Sequence, residues 1–300
     1  MYILLGLFLV LLVIGIVAWF LYSYAKSMVQ KRQKMNKEGV VFYPRDETCE
    51  KVVVSIAWIL SLLIFLNPKT KFMGKENIRE IRRLHKEGKR IIFTLNHLSH
   101  LDHAYFAIFA RRCGFWDIWR DVVFVARNSL YEETEFSLVL PVVNIIGVYS
   151  AKEIEKARRE KDREKIRKGN RTNKLAKLER EKALAQNKIL VIYTEGGRSD
   201  TEALIKNQAY IAPNLRKSEI LGRGTFMGTE KVFPRGYKLG FDLFRRVFNP
   251  VTFTIGAPYP VPDIADDGEF MNCVGVHLAE LLWPEYQGYY KGRLQATRAS

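Results

Sequence analysis

The chain has 300 residues, of which 48% are hydrophobic, and a net charge of +16. That length holds a membrane anchor plus one sizeable domain, and the apolar content is enough to build a core. The charge favours an anionic surface or ligand, with nucleic acid as the competing partner, while three widely spaced cysteines, Cys49, Cys113 and Cys273, exclude a disulfide framework and a cysteine-zinc site.

Ile3 to Leu21 is nineteen residues of apolar side chains and glycine, long enough to span a bilayer as a helix. A cleaved signal peptide is the alternative, but no basic segment precedes the run and the run is too long. Trp19, Tyr22 and Tyr24 sit where an interfacial belt would, and Lys26, Lys31, Arg32, Lys34 and Lys37 follow. The positive-inside rule then predicts a single-pass membrane protein with everything after residue 26 on the cytoplasmic side. Val52 to Leu66 is a second apolar run of fifteen residues. As a helix it reaches roughly 22 Å, short of a hydrocarbon core of about 30 Å. With basic residues on both flanks it reads as a re-entrant or interfacial helix; a buried core helix is the alternative. Asn67-Pro68 ends it.

Ile78 to Lys89 follows as a basic helix with Ile78, Ile81 and Leu84 on its apolar side. Arg90 to Leu95 is a short apolar run that predicts a buried strand, and Asn96-His97-Leu98-Ser99-His100-Leu101-Asp102 follows at once. His-x-x-x-x-Asp at a strand end puts an imidazole at the sheet edge and a carboxylate near the start of the next helix. Histidine takes a proton near neutral pH, and a carboxylate fixes its tautomer. The plainer alternative is a strand-end histidine beside a helix-capping carboxylate. Ala104 to Ala110 reads as helix, Val122 to Ala126 as a strand ending at Arg127, and Ile145 to Val148 as another strand. Lys152 to Lys182 carries fourteen Lys/Arg against seven Asp/Glu. It predicts two solvated helices divided at Gly169-Asn170, with docking on anionic lipid or a carrier protein as the sharper alternative. Its lack of aromatic residues argues against a nucleic-acid stacking platform.

Ile189 to Thr194 is a further buried-strand pattern, running into Glu195-Gly196-Gly197-Arg198-Ser199. The glycines allow close backbone approach to a ligand, and Arg198 offers a fork suited to phosphate or carboxylate. Gly222-x-Gly224-x-x-x-Gly228 has the wrong spacing and context for dinucleotide binding and is expected to be a loop. Pro250 to Ile255 is expected to be a strand, and His277 to be structural.

N-H-x-x-x-x-D at 96–102 and Y-T-E-G-G-R-S at 193–199 together resemble the glycerolipid acyltransferase family, over roughly residues 70 to 260. Thr194 stands where that family usually has proline, and Gly197 where it usually has threonine. Gly74-Lys75-Glu76-Asn77 is similar to the step that precedes the family's first motif. Gly147 to Lys152 is similar to its second, with lysine replacing the usual arginine and so losing the bidentate fork. The residues from Asp200 to Thr229 depart from the family, which usually runs through a short turn into its next strand. The resemblance implies acyl transfer from acyl-coenzyme A or acyl-carrier protein to a hydroxyl of a glycerophosphate acceptor, first of all 1-acyl-glycerol-3-phosphate, with glycerol 3-phosphate or another lysolipid as alternatives. It implies His97 as general base oriented by Asp102, and Glu195, Gly196, Gly197, Arg198, Arg127 and Lys152 as substrate-binding residues; a surface arginine is the other reading of Arg127. No cofactor and no metal are implied beyond the donor substrate. Membrane phospholipid is the expected partner, and nucleic acid is not.

Two other function classes stay open. His100-x-Asp102-His103 matches the latter part of a metallohydrolase motif, although Leu98 stands where its first histidine belongs. A non-catalytic basic membrane-surface protein is the third class. No G-x-S-x-G elbow suggests a serine hydrolase. Strands alternating with helices predict an α/β fold with a mainly parallel sheet flanked by helices, an N-terminal transmembrane helix and a second membrane-associated helix. The expected organisation is an anchor over 1–25, a basic linker with the re-entrant helix over 26–69, and an acyltransferase domain over 70–300. Ligand sites on such sheets lie at the strands' carboxyl ends, where His97 and Glu195 to Arg198 can meet.

Overall fold

The computed structural model describes residues 23–46 apart from 25 and 29, 67–128 apart from 100 and 101, 143–234 apart from 200, and 243–299 apart from 247. The two apolar runs, Ile3 to Leu21 and Val52 to Leu66, lie outside these residues. No helix among the described residues is long and apolar enough to cross a membrane.

The described strands form one eight-stranded sheet: β1 (Phe42–Tyr43), β2 (Lys71–Met73), β3 (Ile91–Leu95), β4 (Val122–Arg127), β5 (Asn144–Val148), β6 (Ile189–Tyr193), β7 (Ile220–Met227) and β8 (Thr252–Pro260), in the order β1-β5-β4-β6-β3-β7-β8-β2. Five of its seven pairings are parallel; β1–β5 and β7–β8 are antiparallel, so the sheet is mixed. The central strands β4, β6 and β3 are mostly apolar because both faces are covered. Ile91, Phe93 and Leu95 of β3 face a core shared with α1 (Lys75–Lys86) and α2 (Asp102–Arg112). Ile92 faces the other layer, built from α4 (Arg163–Ala185) and α5 (Asp267–Ala279), with α3 (Ala151–Arg159) packed beside α4.

Three expectations are corrected. The glycine-bearing stretch expected to be a loop is β7, parallel to β3 and near the middle of the sheet. Its glycines make room for an aromatic ring: a Cβ on Gly222 would lie 2.4 Å from the Phe93 ring, and one on Gly224 2.8 Å from it. A spacing that resembled a loop signature is thus a packing signature. The charged run divides at Glu160 to Asp162, where Lys161 takes φ 56° and Asp162 caps α4 through the Lys165 N–H, while Gly169 lies inside α4. Gly169 lets the helix approach Tyr149 and Ile154, whose atoms lie 3.3–3.4 Å from its would-be Cβ. Finally, the stretch expected to be a linker supplies β1. Tyr43 is fully buried, and Arg32 donates hydrogen bonds to the carbonyls of Pro44 (2.6 Å) and Val143 (3.3 Å).

Candidate active site

The parallel strands β5, β4, β6 and β3 are neighbours, and their carboxyl ends open on a cavity of 370 Å³. His97 follows β3, Arg127 ends β4, Tyr149 and Ser150 follow β5, and Gly196 to Arg198 follow β6; all of them line it. The site is therefore where an open α/β sheet places its ligands.

Asp102 opens α2 and is fully buried. Its Oδ2 accepts from His97 Nδ1 (2.9 Å) and from the N–H groups of Leu98 (2.9 Å) and Ser99 (3.0 Å). The two backbone donors fix the carboxylate, and the carboxylate fixes the imidazole with its proton on Nδ1. Nε2 is left as the basic nitrogen of a ring that lines the cavity. The ring also stacks on Tyr193, centroids 4.2 Å apart, so packing as well as hydrogen bonding sets its plane.

The second motif holds the first in place. Glu195 Oε1 accepts from the His97 N–H (2.8 Å), and Oε2 accepts from the Ile205 N–H (2.9 Å). The Ser199 N–H donates to the His97 carbonyl (3.1 Å). The backbone of His97 is thus gripped from both ends of Glu195 to Ser199. Glu195 is 2% exposed, and burial pushes its carboxyl up to about 8 against the pull of its two N–H donors. It does not line the cavity. The expected substrate contact is thus not where the structure places Glu195: both of its oxygens accept from backbone groups.

Lys152 also departs from expectation. It is exposed on α3, while Ser150 and Ala151 line the cavity in its place. The cause is the turn: Ser150 caps α3 through a reciprocal pair with Glu153, and the helix then carries residue 152 outward. Gly196 has φ +69°, a conformation glycine adopts freely, and its N–H donates to the Tyr193 carbonyl (3.2 Å). That amide is spent on the turn. The Gly197 N–H has no hydrogen bond among the described residues. Thr194, where the resembling family has proline, is buried and donates to Asn207 Oδ1 (2.9 Å). Asn207 in turn is held by Tyr290 and Met271, so this departure and the segment after Ser199 are parts of one contact.

Sequence reading missed Arg180. It projects from α4 into the same cavity, seven residues after Asn173, which clamps the backbone N–H and carbonyl of Tyr149 at 2.9 and 3.0 Å. The signal was present. Gly169, Thr172, Ala176 and Ala183 mark a buried small-residue stripe at helical spacing in an otherwise charged helix, and Arg180 falls on that stripe. With Arg127 and Arg198 it makes three guanidinium groups around a cavity that no carboxylate of the described residues lines. Among the described residues no three His, Cys, Asp or Glu side chains gather as a metal site, and His100 lies outside those residues.

A buried His-Asp pair on an arginine-lined cavity at the carboxyl ends of parallel strands is an arrangement suited to general-base chemistry on an anionic ligand. The acyltransferase family matches residues 69–221, just over half of the chain, and the chain belongs to that family. No curated protein matches it. Among solved structures, it is similar to the 1-acyl-sn-glycerophosphate (LPA) acyltransferase PlsC from Thermotoga maritima, at 15% identity and a TM-score of 0.46, over 88% of this chain and 94% of that one.

Proposed function

We propose that this acyltransferase moves an acyl chain from a thioester donor, acyl-coenzyme A or acyl-carrier protein, to the free hydroxyl of 1-acyl-glycerol-3-phosphate, giving phosphatidic acid. The observation that carries the reading is the His97–Asp102 pair on a cavity that joins arginines to apolar wall residues such as Val125, Val148, Ile154 and Ile192. The arginines suit a phosphate, and the apolar wall suits an acceptor that already carries one chain.

In this reaction His97 Nε2 takes the proton of the acceptor hydroxyl as its oxygen attacks the thioester carbonyl. The C–S bond breaks as the new ester forms, and the imidazolium returns its proton to the departing thiolate. Asp102 stabilises the imidazolium without taking the proton. No covalent enzyme intermediate is required. The Gly197 N–H is the backbone donor proposed for the developing oxyanion. Arg198 and Arg127 hold the acceptor's phosphate. The apolar run Ile3 to Leu21 and the lysines after it support a membrane anchor that leaves this face on the cytoplasmic side.

The test is a panel of acceptors (1-acyl-glycerol-3-phosphate, glycerol 3-phosphate and lysophospholipids with larger headgroups) offered to the full chain in detergent with one radiolabelled acyl thioester. Phosphatidic acid is the expected main product. Preference for glycerol 3-phosphate, or absence of acyl transfer to any acceptor, would overturn the reading.

A further inference from the structure

The catalytic cavity has a neighbour. A second cavity of 390 Å³ lies between α4 and the segment around Pro213, and it shares three wall residues with the first: Arg180, Tyr210 and Asn214. Direct transfer needs both substrates bound at once, so two anionic headgroups must be accommodated by separate cations. Arg198 and Arg127 belong only to the catalytic cavity. Lys177 belongs only to the second, and Arg180 stands at the junction.

Arg180 is half-buried, and burial pulls its guanidinium below the usual range. It has no hydrogen bond or ion pair among the described residues. The next residue, Glu181, pairs with Lys217 at 3.7 Å on the far wall. Glu181 acts on Arg180 only through space and offsets its desolvation in part, and a bound phosphate would offset the rest through paired donors.

On the acyl-transfer reading above, we propose that Arg180 binds the phosphate that ends the donor's pantetheine arm, the arm entering by the second cavity past Lys177 and Tyr210 so that its thioester reaches His97. Coenzyme A and a carrier protein both present that phosphate. Arg180 is then a residue for donor recognition, in contrast to Arg198.

The proposal is tested on the full chain with Arg180→Ala and Arg180→Lys. Arg180→Ala is expected to raise the donor's KM about ten- to a hundredfold, as loss of one charge-assisted contact does, with the acceptor's KM unchanged and Arg180→Lys recovering part. The loss should shrink to near unity with an acyl thioester of N-acetylcysteamine, which lacks the phosphate. A rise in the acceptor's KM, or an equal loss with the phosphate-free thioester, would overturn it. Running acyl-coenzyme A beside acyl-carrier protein identifies the source: the donor whose KM rises is the one that Arg180 reads. Calorimetric binding of free coenzyme A and of holo-carrier protein separates this proposal from the transfer reading. Weakened binding in Arg180→Ala supports the subsite whatever is turned over; binding equal to wild type, or none by wild type, overturns it.

Discussion

The sheet has two halves with different duties. In β5-β4-β6-β3 every strand is parallel to its neighbour, and every carboxyl end delivers a residue to the cavity. In β7-β8-β2 no residue of any strand reaches that cavity; β7 and β8 run antiparallel, and their side chains fill space. Phe226 and Phe253 stack at 4.3 Å, and Gly222 and Gly224 lie against Phe93. β3 and β7 pair in parallel across the boundary, Thr94 Oγ1 donates to the Gly222 carbonyl at 3.0 Å, and an asparagine beside the cavity adds two further bonds. Asn96, next to His97 and 1% exposed, donates to the Phe226 carbonyl at 2.9 Å and accepts from the Phe226 N–H at 2.7 Å. Parallel strands gather side chains at one edge, while the antiparallel extension holds that edge rigid. Substitutions in the first half should therefore alter kinetics, and those in the second should alter stability.

The largest kinetic effect is expected at His97. His97→Ala removes a general base, an effect of about 10²–10⁴-fold on turnover, while thermal unfolding stays near wild type because the ring lies at the cavity wall. Acyl-transfer rate and melting temperature on one preparation check both halves of this statement. A fully active variant would sink the mechanism.

Arg198 comes next. A charge-assisted hydrogen bond contributes roughly 1.5–3 kcal/mol, so Arg198→Ala should raise the acceptor's KM about ten- to a hundredfold with the donor's KM unchanged. Arg198→Lys keeps the charge but not the fork and should recover only part. Loss of donor and acceptor binding together, accompanied by a lower melting temperature, would mean that Arg198 holds the turn instead.

The opposite pattern is expected in β7. Gly224→Ala places a methyl 2.8 Å from the Phe93 ring, and Gly222→Ala places one at 2.4 Å. Overpacking of this kind costs about 1–3 kcal/mol, and the rate per folded molecule should remain that of wild type. Denaturant melts beside active-site titration would show it; a lower rate with unchanged stability would erase the contrast between the halves.

Much of the first half was legible in the sequence. Its strands are short apolar runs closed by polar loops, and Asn96 to Asp102 and Tyr193 to Ser199 carry spacing that only a shared site explains. The second half was not, because β7 contains glycines whose reason is the Phe93 ring, far away in the sequence, and no local pattern reports a long-range neighbour. Glu195 shows the same limit within the site. A glutamate among glycines suggested a ligand contact, but its two oxygens are consumed by the His97 and Ile205 amides, and only the folded backbone reveals those donors. Arg180 differs, since its stripe of small residues was visible and the surrounding charge concealed it.

The smallest effect sharpens the comparison most. Lys152 occupies the position where the resembling family carries an arginine, so a sequence argument predicts a phosphate contact and a large loss in Lys152→Ala. The structure instead leaves Lys152 exposed on α3, outside the cavity that its neighbours Ala151 and Ile154 line. An exposed side chain with no packing role changes stability by no more than about 0.5 kcal/mol. Through space it adds only to the general positive field, which falls off over about 8 Å at physiological salt. Lys152→Ala should therefore change both KM values less than about twofold, and any change should vanish as salt is raised, unlike the loss in Arg198→Ala. Kinetics at two ionic strengths decide the matter. A tenfold, salt-insensitive rise in the acceptor's KM would show that Lys152 turns inward when the substrate binds, and the division between residues that line the cavity and residues that surround it would have to be redrawn on the β5 side.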